Sequence, residues 1–136
     1  MKQHKTLTSQ RGFTVLELIF AVVFLIAAGT VFYVQKRDLE IARRDSDRKA
    51  SINAIYYNLE DVCYPAQKAY PESLGADKLK GVDPDVFKDP SGKAFGEEGS
   101  NYRYEPKDCA DGKCKSYTLT ADLEREADYV KTSRNR

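Results

Sequence analysis

Residues 13–34 read FTVLELIFAVVFLIAAGTVFYV, an apolar run broken by one side chain that is charged at neutral pH, Glu17. About 22 residues make roughly 33 Å of α-helix, enough to cross the hydrocarbon core of a bilayer. Apolar residues fall on every face of that helix, so it needs lipid or other helices on all sides. The segments on either side are polar and charged, so whole-chain averages conceal this stretch. A secretory signal peptide has a shorter apolar region, followed by small residues at its cut. Here the break in composition comes before the run, at Arg11-Gly12-Phe13. A plain membrane anchor leaves Glu17 unexplained. A charge at bilayer depth costs roughly 2.5–3.5 kcal/mol on insertion scales and marks a function by default.

Glu17 lies four positions after Phe13, one helical turn along the same face. A cut after Gly12 creates a new α-amine at Phe13, largely cationic with a pKa of about 7.7–8.0. Glu17 is placed to meet that charge, within one chain or between neighbours. Between chains the pairing also sets axial register, because buried charges left unpaired are costly.

Composition narrows the function classes. The chain carries 22 Lys+Arg against 21 Asp+Glu. Removal of Lys2, Lys5 and Arg11 with residues 1–12 leaves 19 basic groups against those 21 acidic ones. A nucleic-acid module shows a clear basic excess, so such a partner is neither implied nor excluded. The single histidine is His4, inside the segment to be removed. Serine or cysteine catalysis through histidine is then unavailable, as is a histidine-containing zinc site. The chain reads as a structural protein, not an enzyme, with no catalytic and no metal-binding residues expected.

Beyond the apolar run the organisation changes. Residues 35–50 alternate in charge, including Lys36, Arg37, Asp38, Glu40, Arg43, Arg44, Asp45, Asp47, Arg48 and Lys49. They read as an exposed helix laced with weak ion pairs, Glu40–Arg44 among them. Ile52, Ile55, Leu59, Val62, Ala66 and Ala69 then recur at helical spacing and predict one buried face. Pro65 predicts an end or a kink near Cys63 or Tyr64. Residues 71–99 are rich in proline and glycine and read as a connector, with a short helix near Ala76–Lys80. Ser100–Glu105 and Lys115–Ala121 alternate like strands, and a third strand is expected around Asp128–Thr132. Phe87, Tyr102, Tyr104, Tyr117 and Leu119 are read as core or sheet surface.

Between the first two strands lies Cys109-Ala110-Asp111-Gly112-Lys113-Cys114, and Asp-Gly is a favoured hairpin pair. That spacing brings Cys109 and Cys114 together at the base of the loop and leaves Cys63 free; a bridge from Cys63 to either is the rival arrangement. A disulfide fits a domain held outside the cytoplasm.

The basic leader, Gly12, Phe13-Thr14-Val15-Leu16-Glu17 and the apolar run together resemble the precursor signature of type IV pilins and type II secretion pseudopilins. Ser116–Glu124 resembles the closing strand of pilin-like proteins, and Asp89-Pro90-Ser91-Gly92 the turn before the sheet in pseudopilins. The resemblance implies an α+β pilin-like fold, with a long amino-terminal helix packed on a small carboxy-terminal antiparallel sheet. Its segments are a leader at 1–12, a membrane-spanning and filament-core helix at 13–34, and an amphipathic continuation at 35–70. A connector at 71–99 and a disulfide-bearing sheet at 100–136 follow.

It further implies cleavage between Gly12 and Phe13 by a prepilin peptidase, N-methylation of Phe13, and an assembly salt bridge from Glu17 to the Phe13 amine of an adjacent subunit. The expected partners are further copies of the chain in a helical filament, minor pilins, the peptidase, and the membrane before assembly. The expected locations are a single pass through the inner membrane, then an extracellular filament serving adhesion, twitching motility or DNA uptake. The alternative is a pseudopilin of a secretion or competence system. Lys and Arg flank the apolar run on both sides, more of them after it, so the placement of residues 1–12 in the cytoplasm comes from the resemblance. No cofactor is expected. Some pseudopilins bind calcium near the sheet, and Asp108 and Asp111 offer oxygens there, without regular ligand spacing.

Overall fold

The computed structural model describes residues 12–135. The chain divides into two compact units, one ending at Asp38 and one beginning at Leu39.

Helix α1 spans Val15–Asn58. Among its residues up to Val34 the large apolar side chains stand exposed: Phe13, just ahead of the helix, is 87% exposed and Phe24 73%. The helix is long and apolar enough to cross a membrane, and its apolar window is buried nowhere in the protein. Gly29, the weakest helix former in the run, has open space around its Cα.

The second unit is built on the rest of α1. Ile52, Ile55 and Leu59 are fully buried, as their spacing predicts. The predicted face then fails: Val62 is 53% exposed and Ala66 is exposed as well. The reason is a single π-helical turn, Leu59–Cys63, in which the Tyr64 N–H reaches back five residues to the Leu59 carbonyl. One inserted residue rotates all that follows by about 100°. Val62 and Ala66 swing outward, while Cys63 and Tyr64 swing onto the core. The π turn also absorbs Pro65, which has no N–H for the α-helical ladder. Pro65 therefore does not end the helix. It sits in the first turn of α2, Tyr64–Gln67, where a missing donor is harmless. Lys68, in the left-handed region at φ 52°, closes α2.

The four-stranded antiparallel sheet comprises β1 (Tyr70–Pro71), β2 (Tyr102–Ala110), β3 (Lys113–Ala121) and β4 (Tyr129–Thr132). β3 is central: β2 lines one side along its length, and β1 and β4 share the other. The β2–β3 hairpin is longer than its sequence pattern suggests. It closes on Asp111-Gly112, whose φ values of 53° and 74° are those of a type I′ turn. In that register Cys109 faces Cys114, and the two form a disulfide. Cys63 is free.

The connector departs from expectation. Residues near Ala76–Lys80 form turns around the Gly75 carbonyl, not a helix. The short helix is instead a 3₁₀ turn at Pro84–Phe87. Asp83 caps it by accepting the Asp85 N–H at 3.0 Å, and Pro84 presets its first residue. Leu79 and Phe87 from this connector, with Tyr70, Tyr102, Tyr117, Leu119 and Ala121 from the sheet, cover the helix face. Tyr104 is half-buried and donates its hydroxyl to the Pro71 carbonyl at 2.6 Å.

Candidate functional site

Three groups of polar residues stand out against these apolar surroundings, one in the first unit and two in the second.

The first lies where α1 begins. The Glu17 Oε2 accepts the Thr14 N–H at 3.2 Å and the Thr14 hydroxyl at 3.3 Å. The Thr14 Oγ1 in turn accepts the Glu17 N–H at 3.3 Å. This is a reciprocal capping box, with Thr14 at the N-cap and Glu17 three positions into the helix. It satisfies two of the orphan donors at a helix start, and the carboxylate favours the positive end of the helix dipole. The pattern Thr14-x-x-Glu17 is visible in the sequence, and the charge-partner role expected for Glu17 does not include it. The donor to Glu17 is Thr14, not Phe13. Gly12 and Phe13 precede the helix in an exposed, irregular stretch. Open space surrounds Gly12 where a side chain would begin.

The second group is a buried ionic cluster around Arg48, which is 2% exposed. Its Nε donates to Asp89 Oδ1 at 2.6 Å, and its Nη1 to Asp45 at 3.0 Å and to Glu124 at 2.9 Å. Asp89 also accepts the Ser91 N–H at 2.8 Å, the Ser91 hydroxyl, and Asn101 Nδ2 at 3.1 Å. Asp45 accepts the backbone N–H groups of Glu124 and Arg125 at 2.9 and 3.0 Å. Arg44 forks onto Glu124 at 2.8 and 2.7 Å. The helix, the turn at 89–92 and the chain leaving β3 are thus tied to one guanidinium. Sequence reading treated Asp45, Arg44 and Arg48 as a solvated helix face. Their partners lie in distant parts of the sequence, beyond the reach of any local pattern.

Electrostatics follow this geometry. Burial pushes the Asp89 carboxyl up, but the donors from Arg48, Ser91 and Asn101 outweigh it and hold the group at about 2. The Arg44 hydrogen bond is the main cause that holds Glu124 at about 2, with Arg48 adding to it. Both carboxyls are depressed in the folded state, so their contribution to stability is present above their unfolded values near 4. It is lost as pH falls from about 4 through about 2. Denaturant titrations at pH 6, 4 and 2 should show a level midpoint down to about pH 4 and a steep fall below it. An unchanged midpoint at pH 2 would contradict the ionic cluster.

A third polar group closes the other end of the unit. Buried Glu60, on the π turn, accepts the Tyr117 hydroxyl at 2.9 Å, the Tyr70 hydroxyl at 3.1 Å and the Arg134 N–H at 3.1 Å. Burial, then the neighbouring Glu60 carboxylate, raises the Tyr117 phenol above its ordinary value. These bonds pin the end of the chain to the helix.

Among the described residues no group of three His, Cys, Asp or Glu is arranged to hold a metal ion. Asp108 and Asp111 lie exposed on the distal end of the β2–β3 hairpin. Comparison of the chain with protein families, with curated proteins and with solved structures returns no match.

Proposed function

We propose that this chain is the precursor of a filament subunit of the type IV pilin kind, cut after Gly12, N-methylated at Phe13 and polymerised through its apolar helix. The observation that carries this reading is the amino-terminal part of α1, exposed and apolar all round, with one carboxylate at its start. Such a surface has two stable settings, lipid and other apolar helices. Before assembly the helix sits in the inner membrane; after assembly it lines the filament core, and the disulfide-bonded domain faces the exterior.

Within one chain, Glu17 caps its own helix. Once Phe13 carries a free amine, a stronger partner becomes available. The donors that Thr14 offers are uncharged, and a cationic amine adds the attraction of opposite charges, which a low-dielectric apolar surrounding strengthens. An amine from an adjacent copy would neutralise the acid and set the stagger between subunits.

A pseudopilin of a secretion or competence system is the second reading, favoured by the Asp89 turn, whose sequence resembles that region of pseudopilins. Isolation of surface filaments and identification of their subunit separates the two. Processing itself is tested at Gly12. A Gly12→Val variant, with a branched side chain at the cut, is expected to accumulate uncut and to form no filaments. Amino-terminal sequencing that finds Phe13 first in that variant would remove the proposed cleavage step.

A further inference from the structure

Beside the outer face of α1 runs a groove of about 390 Å³, lined by Tyr57, Val62, Val82 and Val86, with Asp61 and Asp83 among its walls. Tyr57 and Val62 remain 51% and 53% exposed in it. Its charged lining groups are these two carboxylates, and none of its lining residues is basic. Asp61 is engaged by Arg134 at 3.0 Å. Asp83 accepts the Asp85 N–H, and among the described residues no cation forms a salt bridge with it.

Five helical turns before Tyr57, and so on the same side of α1, stands Leu39. It is 71% exposed. One turn on, Arg43 is 85% exposed in its side chain and holds Asp47 only at 3.9 Å. An exposed leucine followed by a loosely held guanidinium matches, in reverse, an apolar groove with acidic walls. Both features belong to the unit that begins at Leu39.

We propose that the groove receives the Leu39–Arg43 stretch of a second copy of this chain, with Leu39 among Tyr57, Val62, Val82 and Val86 and Arg43 facing Asp83. The proposal rests on the filament reading and adds a second contact to it, outside the apolar segment. Charge complementarity selects the occupant: the groove is acidic, and Arg43 lies one turn beyond Leu39 on the same face, whereas Glu40, the one acid of the stretch, is turned about 100° around the helix from Leu39. Two parallel copies displaced by about 27 Å along the helix axis bring Leu39 level with Tyr57. Stretch and groove are different surfaces, so the contact is heterologous. Each copy offers one to the copy above and one to the copy below, and the series does not close on itself, as a filament requires.

The test uses the full-length chain assembled in cells, with Cys63→Ser to remove the free thiol and Leu39→Cys and Val86→Cys together. Mild oxidation should yield a ladder of disulfide-linked multimers on a non-reducing gel. Asp83→Asn keeps a good cap for the 3₁₀ turn while it removes the charge. Asp83→Asn and Arg43→Glu are each expected to lower filament yield at least tenfold. Filaments at normal yield with no ladder would overturn this contact while leaving the filament reading intact. Cross-linking only to a different protein would also overturn it. No self-association by the unaltered chain would remove both readings together.

Discussion

Arg48→Met should destabilise the carboxy-terminal unit by about 3–5 kcal/mol, the loss expected when one partner of a buried ion pair is removed. A single domain has only about 5–15 kcal/mol in total, so the variant will be close to unfolding. The cause is what remains rather than what is lost. Asp45 and Asp89, 3% and 2% exposed, would keep their charges in a site with no cation. Asp45 keeps its two backbone donors and Asp89 keeps Ser91 and Asn101, which limits the loss. Adding Asp89→Asn to Arg48→Met should recover part of the stability, because it removes one of the orphaned charges. Denaturant titration of the full-length chain in detergent, followed by near-ultraviolet circular dichroism of the tyrosines, reads both effects. A loss below about 1 kcal/mol for Arg48→Met, or no recovery in the double variant, contradicts this account of the cluster.

Glu17→Ala should insert in the membrane and be cut normally, yet lose nearly all filament assembly. The structure shows Glu17 as half of a helix cap, so a control must separate the cap from the charge. Thr14→Ala provides it. That variant loses the N-cap side chain, worth about 1 kcal/mol, but keeps the carboxylate. If Glu17 acts through the Phe13 amine of a neighbour, Thr14→Ala filaments form at a yield within a few-fold of normal while Glu17→Ala filaments do not. Equal and severe losses in both variants would assign Glu17 to the cap alone. Normal filaments from Glu17→Ala would end the proposed pairing.

How far these features were legible in the sequence depends on how local their causes are. Ile52, Ile55 and Leu59 follow from helical spacing, and Asp111-Gly112 from the positive φ that a two-residue hairpin demands. The cysteine pairing follows once that hairpin is in place. Val62 and Ala66 were legible only as continuations of the same face. The π turn that rotates them outward leaves no mark in the apolar spacing, though Pro65 signals that the ladder must change. β1 is two residues long, too short to show alternation, and pairs with the first two residues of β3. The ionic cluster was the least legible feature. Arg48 and Asp89 are far apart in sequence, and a charged residue on a helix surface looks the same from sequence whether it is solvated or buried beneath a returning loop. The capping box was within reach, since Thr14 and Glu17 are three residues apart.

The central claim is that processing frees the Phe13 amine and that copies then pack through their apolar helices. The most direct measurement is the intact mass of the subunit taken from purified filaments. The account predicts a chain that begins at Phe13, carries one added methyl group, and is two hydrogens lighter than its reduced form because of the Cys109–Cys114 bridge. A native polypeptide that still begins at Met1 and runs as a single copy would contradict it.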